Sequence, residues 1–481
     1  MKISIDNFKA IKSLADYELK PLTVLSGINS SGKSSLIQLL LLLKQTLQLD
    51  STRNPLFLGG DLYQVSSFKD VLTNKDINNQ LKVGFEFTKE EDIAFNTGKR
   101  ITLFDSYESF TIKVEVTFDY RDDQVGIAEF FILYTLPTGD KREQFVRFQT
   151  IAGEKKTKYK IEASNLLFGD ELWGTEPNVT DLQYSSIFPN FYEITELEVE
   201  DSTKGEKEKV HQQITTKYFP KIAGIKALLD QKFASVSYIG PLREQPKDLY
   251  AMSSQKRHVG NLGEFTAQLL ENFAREPINF LNPLITDSGI SYQTTETTLL
   301  AAVKLWMCDI FKIGKDIYAK QQGEAYTIFL KNEAGVETTI KHVGFGISQV
   351  LPIVVEGLLM PHDGTLILEQ PEIHLHPKVQ SLLFDFLYSL VLQGKNVIIE
   401  THSDHFITRM RRRIAESPNE DLLKALNLTF IEAQEGEVYF EIIELDDMGT
   451  IDYFPDDFIE QSNLELKAIV QAQMNKRMRG G

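Results

Sequence analysis

Residues 27–34 read Gly-Ile-Asn-Ser-Ser-Gly-Lys-Ser, a complete loop of the form G-x-x-x-x-G-K-[ST]. Leu22-Thr23-Val24-Leu25 ahead of it is a short apolar run that reads as a buried strand. Ser35 to Leu43 behind it reads as a helix too apolar for the surface. Strand, glycine loop and helix together aim several backbone N–H groups and a helix N-terminus at one anion. The pattern therefore gives Asn29, Ser30, Ser31, Gly32, Lys33, Ser34 and Ser35 to the phosphates of a nucleotide, expected to be ATP. Gly27 and Gly32 supply torsions and a close phosphate approach that a side chain would forbid. Lys33 is placed to reach the β- and γ-phosphates, and the Ser34 hydroxyl to ligate Mg²⁺.

Composition narrows the class. The chain has 481 residues, enough for a large core and about two to four subdomains. A lone cysteine, Cys308, excludes a disulfide framework and fits a reducing, cytoplasmic setting. The start, Met1-Lys2-Ile3-Ser4-Ile5-Asp6, has no signal-peptide core and reads as a first strand. Leu36–Leu43 is too short to cross a bilayer, so no membrane insertion is expected. The net charge of −17, from 68 acidic and 51 basic residues, weighs against whole-surface attraction to nucleic acid. Local basic patches remain as candidates for DNA contact: Arg409, Arg411, Arg412 and Arg413, and Lys476, Arg477 and Arg479. A solvated helix face is the plainer reading of each.

Periodicity divides the rest. Residues 81–161 alternate with period two, as in Phe110 to Phe118, and are predicted to be antiparallel strands. Glu198 to Lys209 is charged and reads as a solvated loop or linker. Helical patterns dominate from Gly263 to about Lys312, followed by β-like runs at 325–331 and 336–343. From Gly344 the punctuation turns α/β: a helix over 346–359 with Pro352 in its first turn, a strand over 365–368, a helix over 377–392, a strand over 396–400 and a helix over 405–414. The expected organisation is 1–80, an N-terminal part of the ATPase lobe with the phosphate loop; 81–161, an antiparallel β portion; 162–340, an inserted, largely helical region; and 341–481, the remainder of the lobe.

Thr365-Leu366-Ile367-Leu368-Glu369 is an apolar strand ending in a carboxylate, the form of a Walker B element. Beside the phosphate-loop strand, Glu369 would hold the Mg²⁺ bound by Ser34. The continuation Gln370-Pro371-Glu372-Ile373-His374-Leu375-His376-Pro377 resembles the Walker B and D-loop of ATP-binding-cassette ATPase heads of the SMC/RecF/OLD type. Ile5-Asp6-Asn7-Phe8-Lys9 is similar to the first strands of those heads, and Val343 to Val350 lies where they carry their signature motif. Val397 to Ser403 resembles their switch strand. The resemblance implies an α/β P-loop NTPase of ABC-ATPase type, with an antiparallel β portion and a helical lobe or insertion. It also implies a homodimer or higher oligomer whose heads sandwich ATP, with Ser348 of one chain facing the γ-phosphate held by the other and His402 near that phosphate.

A narrower resemblance covers about half the chain. Tyr238-Ile239-Gly240-Pro241-Leu242-Arg243, Glu369-Gln370-Pro371-Glu372, Thr401-His402-Ser403-Asp404 and Asp447 to Pro455 recur in a bacterial subgroup that includes ATPases of Septu-type anti-phage systems. That resemblance implies a cytosolic ATPase gating a separate effector, a nuclease of HNH type. The alternatives are a DNA-repair or chromosome-maintenance ATPase binding DNA directly, and a nucleotide-sensing scaffold with negligible turnover.

Several residues carry two readings. Gln64 is a candidate Q-loop glutamine sensing Mg²⁺ and water. His374 and His376 have metal-ligand spacing, but the D-loop position favours dimer contacts. His402 to His405 suggests a hydrolase triad or metal site, without the G-x-S-x-G elbow that would support one. Arg243 approaches phosphate or a neighbouring subunit, or forms a structural salt bridge. Gln370 stands where a glutamate base is usual, either natively or as an engineered trap for ATP. A neutral amide orients water but accepts no proton, so turnover is expected to be slow, with Glu372 the nearest spare carboxylate unless it faces the dimer interface.

Overall fold

The computed structural model describes residues 1–28, 31–49, 55–89, 110–121, 123–135, 143–151, 158–163, 178–179, 183–191, 194–200, 207–210, 220–253, 257–286, 289–417, 419–434 and 436–451. In chain order the first elements are β1 (Lys2–Phe8), β2 (Ile11–Glu18), β3 (Leu22–Gly27), α1 (Lys33–Gln48), β4 (Leu81–Lys89), β5 (Phe110–Arg121), β6 (Gln124–Thr135), β7 (Glu143–Ile151) and β8 (Lys158–Ala163). Short strands follow: β9 (Asn178–Val179), β10 (Gln183–Ser185), β11 (Phe188–Phe191), β12 (Ile194–Glu200) and β13 (Lys207–Val210). Then come α2 (Pro220–Ala234), β14 (Val236–Ile239), β15 (Tyr250–Ala251), α3 (Thr266–Asn272), β16 (Pro277–Thr286), β17 (Gly289–Thr298), α4 (Leu299–Lys304), β18 (Asp316–Gln322), β19 (Ala325–Lys331) and β20 (Glu337–Thr339). The last run is α5 (Phe345–Leu359), β21 (Thr365–Glu369), α6 (Pro377–Leu392), β22 (Asn396–Glu400), α7 (Asp404–Glu416), α8 (Asp421–Ala425), β23 (Leu426–Gln434) and β24 (Glu437–Ile442).

These elements fall into two units. The first comprises Met1–Leu19, Ser35–Ala234 and Glu435–Val438. Its frame is a ten-stranded sheet of order β13-β12-β9-β8-β7-β6-β5-β4-β1-β2. Ile112, Val114, Val116 and Phe118 of β5 are buried at period two, which is what the alternation in the sequence requires of a half-buried strand. The charged stretch read as a loop is instead partly sheet. Register sets Glu198 opposite Lys209 and Glu200 opposite Lys207.

The second unit contains Lys20–Ser34, Ser235–Gln434 and residues from Tyr439 onward. Its centre is a sheet of order β14-β21-β22-β3-β23-β24. From β14 to β23 every pairing is parallel. Helices cover both faces of such a sheet, so its strands read as unbroken apolar runs: Leu366, Leu368, Val397 and Ile399 are fully buried. The expected strands and helices over 365–400 stand where the sequence places them. One placement differs. β22 lies between β3 and β21, so the Walker B strand is not beside the phosphate-loop strand.

Residues 162–340 are less helical than their spacing suggests. Besides β9–β13 they contain the hairpin β16–β17, with Pro283 opposite Tyr292. A two-stranded sheet is all edge, which is the setting that tolerates proline in a strand. In α5, Pro352 lies mid-helix rather than in the first turn. It withholds an N–H from the Ser348 carbonyl, and Gly263 passes so close that a Cβ there would meet its Cγ at 2.6 Å.

Two of the α7 arginines turn inward. Asp385 on α6, fully buried, accepts from Nε and Nη2 of both Arg409 and Arg413 at 2.6–3.2 Å. Arg412 and Arg413 also pair with Glu416, and Arg411 donates to the Gly449 carbonyl at 2.8 Å. Arg409 and Arg413 are thus a packing device between α6 and α7, while Arg412 stays exposed; Lys476, Arg477 and Arg479 lie outside the described residues. Asp385→Ala is expected to cost ~3–5 kcal/mol in denaturant unfolding, because it strands two guanidinium groups against the core. A loss below about 1 kcal/mol would contradict this packing role.

Candidate functional site

Parallel strands deliver their carboxyl ends to one edge of a sheet, and ligands collect there. At this edge β3 ends in Gly27, β21 in Glu369 and β22 in Glu400. Gly27 adopts φ 141°, and a Cβ there would overlap the Ile431 carbonyl oxygen of β23. The glycine is therefore demanded by torsion and by strand crowding. Gly32 takes φ 90° immediately before α1 begins at Lys33. The Lys33 ammonium donates to the carbonyls of Gly27 (3.1 Å) and Ile28. Burial holds its pKa below the usual lysine range, against the pull of Glu400. Ser31 Oγ is buried with no hydrogen-bond partner among the described residues. An orphaned hydroxyl inside a phosphate loop is the mark of a site shaped for an anion. Ser35 is buried on α1; Asn29 and Ser30 lie outside the described residues.

Beneath the loop, Ser34 Oγ donates to Glu400 Oε2 at 2.8 Å. Glu369 is opposite Glu400 in strand register, and its Oε1 accepts from the Tyr238 hydroxyl at 2.6 Å. Burial lifts the Glu369 carboxyl above the usual range; burial, and then Glu369, push Glu400 up to about 7. Glu400 is absent from the site residues read off the sequence. Its signal is there, since Val397 to Glu400 has the same form as Thr365 to Glu369: an apolar strand closed by an acid. Serine hydroxyl and carboxylate oxygens are the donor set a hard divalent cation takes, so these residues fit Mg²⁺.

The turn after β21 is held by its backbone. Arg243 donates to the carbonyls of Glu369 (3.0 Å) and Gln370 (3.1 Å), so its guanidinium is given to the main chain rather than to a phosphate or a salt bridge. Gln370 takes φ 45°, and its N–H donates to the Glu400 carbonyl at 2.7 Å. Glu372 Oε1 accepts from the His402 N–H at 2.7 Å, which turns it inward under the switch rather than outward to an interface. Burial raises its pKa. Partial burial, then Lys33, lower the His402 pKa, against the pull of the nearby Gly27 backbone.

The other candidates make contacts of their own. Ser348 is buried in the first turns of α5, its hydroxyl donating to the Phe345 carbonyl at 2.8 Å. Gln64 is an exposed residue of the first unit, bridged to Gly59. His376 caps α6 by accepting from the Lys378 N–H, and His374 stacks edge-on against Phe345. Neither histidine joins a cluster of three metal-ligating His, Cys, Asp or Glu side chains among the described residues. Ser403 caps α7 and donates to Gln380, which commits its hydroxyl to structure rather than to a hydrolase triad.

A family model described as "AAA ATPase domain" (AAA_15) matches residues 1–407. The chain belongs to this ATPase family. The phosphate loop, the Walker B turn and the switch all fall within the matched span. Similar solved structures include the SMC head domain from Thermotoga maritima, at 8% identity over 92% of this chain and 98% of that one, TM-score 0.33. An Smc head bound to the C-terminal winged-helix domain of ScpA aligns at 10% identity over 92% and 97%, TM-score 0.39. An Smc head with an extended coiled coil, bound to the ScpA C-terminal domain from Pyrococcus furiosus, aligns at 9% over 92% and 96%, TM-score 0.39. No residue's role is carried over from them. No curated protein matches the chain. Among the described residues no helix is long and apolar enough to cross a membrane.

Lys33→Ala is expected to abolish tight ATP binding with the thermal unfolding of the apo chain little changed; unaltered affinity by calorimetry would contradict the loop assignment. Stability should also carry a pH signature. Glu400 keeps its proton in the fold up to about pH 7, whereas the unfolded chain releases it near the ordinary carboxylate value. Stability therefore falls as pH rises from about 4.5 through about 7, by on the order of 2–3 kcal/mol, and levels off above. Metal-free Glu400→Gln should lose that slope relative to wild type; parallel curves would contradict it.

Proposed function

We propose that this ATPase is an ABC-type head whose nucleotide state, more than its turnover, controls a partner effector. The observation that carries this reading is Gln370. The phosphate loop, the metal-ligand oxygens and the switch histidine are assembled, yet the residue after the Walker B acid offers an amide where a general base would sit. Glu369 and Glu400 are committed to Tyr238 and Ser34, and Glu372 to the His402 backbone. Bound Mg²⁺ would neutralise the β- and γ-phosphate oxygens. Water opposite the γ-phosphate would be oriented by Gln370 but would keep its proton, so ATP persists as a signal.

In this reading two copies close over two nucleotides. The α5 N-terminus is exposed at Gly344 and Phe345 and has no side-chain cap among the described residues. Its N–H groups are left for the γ-phosphate of a second copy, with Ser348 turning from Phe345 to join them. The partner effector is a nuclease in bacterial anti-phage defence, and the setting cytoplasmic; the support is the resemblance of Tyr238–Arg243, Glu369–Glu372 and Thr401–Asp404 to ATPases of such systems. A chromosome-maintenance ATPase binding DNA directly is the second reading. The inward-turned α7 arginines remove one surface it would have used.

Restoring the base tests the first claim. Gln370→Glu is expected to raise kcat by ~10- to 1,000-fold in steady-state assays, within the ~10²–10⁴ that general base catalysis supplies. An unchanged kcat, with Glu372→Gln abolishing turnover, would move the base to Glu372 and overturn the signalling argument. Ser348→Arg should leave ATP binding to single heads intact while blocking ATP-dependent pairing in light scattering. Pairing at wild-type levels would remove Ser348 from the opposing nucleotide.

A further inference from the structure

We infer that Glu400, at the end of the switch strand, is a direct ligand of the divalent cation that accompanies the nucleotide, sharing that cation with Ser34 and Glu369. The inference rests on the ATPase reading and deepens it. The Walker B pattern assigns the cation to Glu369 and the loop serine alone; in this fold Ser34 Oγ donates to Glu400 Oε2 at 2.8 Å.

Three observations carry it. First, topology puts β22 next to β3, so Glu400 stands closer in the sheet to the phosphate loop than Glu369 does. Second, the strand end is locked from both sides. The Thr401 N–H donates to the Leu25 carbonyl at 3.0 Å, and the Glu400 carbonyl accepts from the Gln370 N–H at 2.7 Å. The Glu400 residue is 3% exposed, which leaves its carboxylate little freedom to swing elsewhere. Third, among the described residues neither carboxyl forms an ion pair, although Lys33 and Arg243 favour their charged forms from nearby. Two carboxylates opposite in parallel register, on strands about 4.8 Å apart, face one hydroxyl. The Lys33 ammonium is bonded to the Gly27 and Ile28 carbonyls, and Arg243 to those of Glu369 and Gln370. Buried carboxylates converging on one point are held together by a cation, and Mg²⁺ accepts one or two carboxylates alongside phosphate oxygens.

The rival account makes Glu400 only a hydrogen-bond acceptor that aims the Ser34 hydroxyl. The two predict opposite effects in a pair of titrations on the full chain, using Mn²⁺ as the probe metal. In EDTA at about pH 8, where Glu400 is ionised, Glu400→Gln should bind ATP at least as tightly as wild type, because a negative charge beneath the phosphates has gone. With ATP present, its Mn²⁺ affinity, read by electron paramagnetic resonance of free Mn²⁺, should fall at least ~10-fold, whereas a residue that only aims Ser34 keeps its acceptor oxygen in Gln and leaves that affinity near wild type. Glu400→Asp, which keeps the charge, should recover part of that loss. Wild-type Mn²⁺ affinity in Glu400→Gln would overturn the inference, and so would parallel weakening of ATP in EDTA and of Mn²⁺, which marks a structural role. If wild type itself binds no ATP in either condition, the ATPase reading fails instead, so the two failures are distinct.

Discussion

The hydrogen bond from Ser34 to Glu400 joins two things that are costly apart: a loop shaped for anions and a buried carboxylate pair. Burying carboxylates side by side is unfavourable, and a sheet does it only where the backbone leaves no alternative. Here the strands fix Glu369 and Glu400 in register, and Tyr238 secures one of them from β14. The repulsion in that pair is what a divalent cation would relieve. A site whose charges are balanced only when it is loaded is well suited to reporting whether nucleotide is present.

The same region couples its parts through main-chain contacts. Arg243 holds the carbonyls of Glu369 and Gln370, Gln370 holds that of Glu400, and Glu372 holds the N–H of His402. Residues 400–402 and the turn after β21 are thus joined by hydrogen bonds, and the turn leads into His374, whose carbonyl lies within 2.8 Å of where a Cβ on Gly346 would be. The start of α5 and the turn before α6 are thereby in contact across a glycine that no larger residue could replace without displacement.

Much of this is legible in the sequence, and the rest is hidden for physical reasons. The runs over 365–368, 377–392 and 396–400 fall within the observed elements, because strands buried on both faces and helices packed on them leave unambiguous apolar signatures. β2 escapes because only Ile11 and Tyr17 along it are buried, too few to mark an alternation. The β16–β17 hairpin escapes because its apolar residues fall at helix-like spacing and its second strand is rich in exposed threonine. In the site, Lys33, Ser34 and Glu369 are readable from one motif each. Glu400 carries the same strand-then-acid form, but the strand order that brings it to Ser34 is a fact of tertiary structure. The arginines of α7 mislead in the opposite sense: four in five positions look like a basic face, yet one buried Asp385 draws two of them inward.

On the reading proposed above, what distinguishes this ATPase is Gln370, an amide next to the Walker B acid where a general base would sit, beside the Ser34, Glu369 and Glu400 oxygens. The most direct test is isotope trapping. Labelled Mg-ATP is bound to the full chain, chased with excess unlabelled ATP, and the label recovered over time. If nucleotide state is the signal, bound label leaves predominantly as ATP. Label committed to ADP and phosphate before it can exchange would contradict that role.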